Sequence, residues 1–134
     1  MKVGIVVYSQ TGNTHTVAQK LKEKFIAAGH SAEVEQVTVT GNTSPGSKDF
    51  QLVTIPNTSS YDALVFAAPV QAFSLSPVMA AYLKQIQSLQ DKKIACYVTK
   101  QLPRKWTGGN QAIGKIKRIC ESKGGTVCGS EIIN

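Results

Sequence analysis

Short apolar, β-branched runs alternate along this chain with longer segments in which apolar residues recur every three or four positions. That alternation marks βαβ units around a parallel sheet, because parallel strands can be joined only through a crossover. Val3 to Tyr8 reads as the first strand. Val17, Leu21, Phe25 and Ala28 follow at helical spacing, with Lys20, Lys22, Glu23 and Lys24 between them, and Gly29 closes an amphipathic helix. Ser31 to Val39 alternates weakly and carries Glu33 and Glu35, as an edge strand touching water would. Ala63 to Ala68 is continuously apolar, the pattern of a central parallel strand. Ser76-Pro77 supplies an N-cap and a first-turn proline for a helix carrying Val78, Met79, Tyr82, Leu83 and Ile86 into the core. Lys93 to Thr99 is a fourth strand, in which Ile94, Cys96 and Val98 alternate with the less apolar Ala95, Tyr97 and Thr99. Ala112, Ile113, Ile116, Ile119 and Cys120 mark a last helix that stops at Gly124-Gly125, and Thr126 to Ile133 is a fifth strand.

The 134 residues suffice for a single α/β domain spanning 1–134, and 42% hydrophobic content is enough for a real core. From Thr40 to Ser60 the chain is rich in Gly, Asn, Ser, Thr and Pro; Phe50 to Ile55 is the part expected to order, as a short strand or a degenerate helix. No apolar run reaches membrane-spanning length, and the first residues lead straight into a strand, so a cytoplasmic protein away from membranes is the expectation. Cys96, Cys120 and Cys128 form no Cys-x-x-Cys pair and read as buried thiols, with no metal site. The net charge of +7 is unevenly distributed: Lys92 to Lys123 holds nine basic residues against Glu121 alone, and the rest of the chain is nearly neutral. An anionic partner or substrate follows from that balance.

The turn between the first strand and first helix carries the chemistry. Ser9, Gln10, Thr11, Gly12, Asn13 and Thr14 bring hydroxyls, an amide and backbone N–H groups to the positive end of a helix dipole, an arrangement that binds phosphate without a lysine. Gly12 lets the backbone approach closely. Neither Gly-x-Gly-x-x-Gly nor Gly-x-x-x-x-Gly-Lys-Ser/Thr occurs, so a dinucleotide fold or a P-loop NTPase has no support. Tyr8 to Thr14 resembles the phosphate loop Tyr-Ser-x-Thr-Gly-Asn-Thr of the flavodoxin family, Tyr61 to Val70 resembles its third strand and the turn beneath the flavin, and Thr107 to Ala112 the end of its second flavin loop.

The resemblance implies a flavodoxin-like open parallel sheet of five strands in the order 2-1-3-4-5, with helices on both faces and a non-covalent FMN beyond the carboxyl ends of strands one, three and four. Pro69, Val70, Gln71, Ala72 and Phe73 would form one wall of the ring site. Lys100, Gln101, Leu102, Trp106, Gly108 and Gly109 would form the other, with Trp106 and then Phe73 as stacking residues. Three departures from the family are visible. Its electron shuttles are acidic, whereas Lys100, Arg104 and Lys105 here would favour the reduced, anionic flavin. Gln71-Ala72-Phe73 lacks the glycine whose peptide flips toward flavin N5, which implies a two-electron carrier. The family's closing helix does not follow strand five, so an apolar face on the first helix's side is expected to stay open and favour a homodimer or partner subunit.

Electron transfer to an acidic redox partner is the leading function. A small FMN-dependent NAD(P)H or quinone reductase is the alternative, although no second phosphate motif marks a nicotinamide site, and no catalytic dyad or nucleophile is evident. A flavin-free binding module on the same fold is the third. No nucleic-acid motif accompanies the basic segment, and Tyr8-Ser9-Gln10 lacks the acids of a phosphorelay receiver.

Overall fold

A computed structural model describes residues 1–9, 12–41, 49–71, 74–99 and 109–133, with the side chains of Asn13, Gln71 and Ser74 outside that description. Five strands pair in parallel: β1 (Lys2–Val7), β2 (Ser31–Gln36), β5 (Ala63–Gln71), β7 (Lys93–Thr99) and β8 (Thr126–Ile133), in the order β2-β1-β5-β7-β8. This is the order 2-1-3-4-5 that the resemblance implied. The crossovers are α1 (Asn13–Ala27), α2 (Pro77–Gln85) and α3 (Gly109–Ser122), and none of these helices is long and apolar enough to cross a membrane.

Strand pleat divides the core in two. Val6, Leu64, Phe66, Ile94, Cys96 and Val98 meet α2 and α3, while Val3, Ile5, Val7, Val65, Ala67 and Tyr97 meet α1. In α2, Met79 and Tyr82 are fully buried as expected, and the Tyr82 hydroxyl donates to the Pro56 carbonyl at 2.7 Å. Ser76 and Pro77 stand where the sequence placed them, but the buried Ser76 hydroxyl makes no capping bond and has no partner among the described residues. Glycine ends both longer helices. At α1, the N–H groups of Gly29 and His30 donate to the carbonyls of Ile26 and Phe25; at α3, those of Gly124 and Gly125 donate to Glu121 and Cys120. Gly29 and Gly124 sit at φ 93° and 92°, a conformation that disfavours any side chain with a Cβ.

Three expectations are corrected. The edge strand stops at Gln36, not Val39: the Val37 N–H still reaches the Val7 carbonyl, but the chain then leaves the sheet as β3 (Thr38–Gly41) and returns antiparallel as β4 (Phe50–Thr54). Val39, Phe50 and Leu52 pack onto the α2 side, which is why the Phe50 region orders as a strand. Cys128 is exposed rather than buried, because β8 bulges there: Ile94 pairs with Val127 and Ala95 with Gly129, leaving Cys128 without an opposite residue. The α1 side of β8 is open at Gly129 and Glu131, and its apolar residue, Ile133, is partly buried against the α1 cluster. Gly129 and Glu131 are exposed there, and the exposed large hydrophobics among the described residues, Met1, Ile26, Val53 and Ile55, all lie elsewhere.

Candidate functional site

β1, β5 and β7 are neighbours and run in parallel, so their carboxyl ends place Ser9, Pro69–Gln71 and Thr99 at one end of the sheet. The register is tight at this end, with Val7 opposite Ala67 and Pro69 opposite Thr99. This is the switch point, where α1 leaves the sheet toward one face and α2 toward the other.

The turn into α1 is built around Gly12, whose φ of 90° and ψ of −14° lie in the left-handed region. Among the described residues a Cβ at Gly12 would meet nothing within 4 Å, so backbone conformation rather than crowding calls for glycine. Ser9 Oγ accepts the Gly12 N–H at 2.9 Å, which leaves the serine's own proton free to donate. Gly12 gives α1 no side-chain cap, and no acidic residue lies in the first turn. Among the described residues the first N–H groups of the helix thus have neither a side-chain partner at the cap nor a competing negative charge, the condition for holding an anion. Thr14 is buried, and its Oγ1 lies 2.7 Å from Thr99 Oγ1 at the end of β7. The Tyr97 hydroxyl donates to the Thr14 carbonyl at 2.7 Å, and burial raises its pKa, keeping it a neutral donor.

Of the residues singled out from the sequence, Ser9, Gly12, Asn13 and Thr14 lie at this turn, and Pro69, Val70 and Gln71 end the adjoining strand β5. Gly109 opens α3, and its role is close packing, since a Cβ there would fall 2.9 Å from Ile132 Cδ1 on β8. Gln10, Thr11, Ala72, Phe73, Lys100, Gln101, Leu102, Trp106 and Gly108 lie outside the described residues. Thr99 and Tyr97 were missed as site residues because they read only as the less apolar half of a strand. Their signal was a hydroxyl on alternate positions at the carboxyl end of a switch-point strand.

The family model of the flavodoxin domain matches residues 4–117. The chain belongs to the flavodoxin family. Its fold is shared with a flavoprotein from Lactobacillus acidophilus in complex with FMN, at a TM-score of 0.73 and 17% identity over 98% of this chain and 92% of that one. Oxidised flavodoxin 2 from Bacillus cereus superposes at a TM-score of 0.72 with 16% identity, covering 99% and 84% of the two chains. Two-electron reduced flavodoxin from Megasphaera elsdenii gives 0.65 and 20%, covering 98% and 85%. Sequence comparison with curated proteins gave no match.

Among the described basic residues of this flavodoxin fold, Lys92, Lys93 and Lys123 lie away from the α1 turn. Lys93 begins β7 and Thr99 ends it, which places them about 20 Å apart at 3.3 Å per residue. Lys92 and Lys123 lie at the Lys93 end, where their Nζ atoms donate to the carbonyls of Ser59 and Tyr61 and of Lys84. A cleft of about 590 Å³ opens at that far end between residues 55–59 and 85–92, away from the α1 turn.

Proposed function

We propose that this protein binds FMN with its phosphate at the turn 9–14 and carries electrons to an acidic partner protein. The start of α1 supports the reading: among the described residues it has no side-chain cap and the Ser9 hydroxyl keeps a proton to donate, at the switch point of a flavodoxin-family chain. Ser9, Gln10, Thr11, Gly12, Asn13 and Thr14 would hold the phosphate. Pro69 to Phe73 and Lys100 to Gly109 would flank the ring, Trp106 foremost. FMN would supply the redox chemistry, and the chain's residues would bind and orient it. Two-electron transfer fits the absence of glycine in Gln71-Ala72-Phe73.

Cofactor content decides the first half. The purified protein is expected to be yellow and to release FMN on denaturation, or to take FMN up from solution with quenching of flavin fluorescence. A colourless protein that takes up none would leave a flavin-free binding module in its place. Sustained oxidation of NAD(P)H with no partner protein would instead make it a stand-alone reductase acting in the cytoplasm.

A further inference from the structure

The two threonines of the first α1 turn behave differently. Thr16 does what helical threonine commonly does and turns its hydroxyl back into its own helix, donating to the Gly12 carbonyl at 2.9 Å. Thr14 does not. Its hydroxyl reaches across to another element and meets Thr99 Oγ1 at 2.7 Å, while Tyr97 clamps the Thr14 carbonyl from the same strand.

A threonine hydroxyl has one proton and can also accept. Only one proton can lie between the two oxygens. If Thr14 donates it, Thr14 has nothing left for an anion at the turn. If Thr99 donates it, the Thr14 proton is free, and its oxygen is already polarised by the incoming bond. An anion at the start of α1 selects the second arrangement. We infer that Thr99 is a positioning residue for phosphate binding: its hydroxyl fixes the direction of the Thr14 hydroxyl and, by donating to it, turns the Thr14 proton toward the anion. The inference rests on the phosphate reading of residues 9–14. It also ties the phosphate turn to the strand leading directly into segment 100–108, on which the second ring wall was placed.

Thr99→Val keeps the shape and removes the hydroxyl, so that Thr14 loses the partner that fixes and polarises its own hydroxyl. FMN affinity of the apoprotein is expected to fall roughly tenfold, the loss of about one charge-assisted hydrogen bond's net worth. Riboflavin affinity, which lacks the phosphate term, is expected to stay within about twofold on the same accounting. Thr99→Ser should restore FMN binding. In a Thr14→Val background, Thr99→Val should add little, because both changes remove the same donor. Equal losses for FMN and riboflavin, additive losses in the double variant, or no loss at all would overturn the inference.

Inorganic phosphate separates this from the FMN reading. If the wild type binds neither flavin but phosphate raises its melting temperature and fails to do so in Thr99→Val, the FMN reading falls and the role of Thr99 stands. If phosphate and both flavins leave the wild type unchanged, both fall.

Discussion

The two faces of the sheet are built to different depths. On the α2 and α3 side, 22 buried residues form one cluster among the described residues, reinforced by Val39, Phe50 and Leu52 from the β3–β4 hairpin. On the α1 side there are eight, and their cover thins toward β8, where Gly129 and Glu131 face outward. The thick face carries apolar burial. The thin face carries the polar linkage from Tyr97 and Thr99 to Thr14 and thus the turn at which phosphate binding is proposed. The larger apolar core and the polar linkage to the proposed site thus sit on opposite sides of the same strands.

Phe66→Ala probes the thick face most severely. It empties a fully buried site beside Tyr82 and should cost about 3–5 kcal/mol in urea unfolding. Gly4→Ala comes next, since the added methyl would lie 2.7 Å from the ring of Tyr61, itself buried and hydrogen-bonded to Glu35 at 2.5 Å. A loss of about 1–3 kcal/mol is expected from this overpacking. Tyr97→Phe removes one bond on the thin face and should cost only about 0.5–1.5 kcal/mol. If it destabilises as much as Phe66→Ala, the division into a packed face and a linking face is wrong.

The cysteines sharpen the same contrast at a smaller scale. Burial pushes the Cys96 thiol up to about 11 and the Cys120 thiol up to about 12, both on the thick face. Cys128 is exposed at the β8 bulge. Iodoacetamide at pH 8 is expected to label Cys128 alone in the native protein and all three thiols after unfolding, as mass spectrometry can count. Because the folded thiols hold protons that unfolded ones lose above about pH 9, their contribution to stability is complete below that pH and lost as pH rises through about 11 to 12. The urea midpoint should fall across that range, and a flat profile would contradict the burial of these thiols.

Much of this arrangement was legible beforehand. Apolar period located the five parallel strands of the main sheet and all three helices, but not the short antiparallel strand Ser74–Leu75, and Gly29 and Gly124 marked the ends of two helices, because periodicity and φ > 0 are local demands written residue by residue. The turn proposed to hold phosphate could be picked out for the same reason: its hydroxyls, glycine and helix start are contiguous in the sequence. Long-range partners were not. That Val37 is the last residue tied to β1, that Cys128 falls on a bulge, and that the α1 side of β8 is open at Gly129 and Glu131 depend on register between segments distant in the chain, which no local pattern records. The Thr14–Thr99 contact joins residues 85 positions apart, and hydroxyl direction is set only once both are packed. Sequence alone determined the order of strands and helices and the place of the turn, since those follow from local backbone preference and side-chain period. Tertiary structure alone decided which hydroxyl faces which, because a hydrogen bond needs both partners within about 3 Å, and only the folded sheet brings β7 against the start of α1.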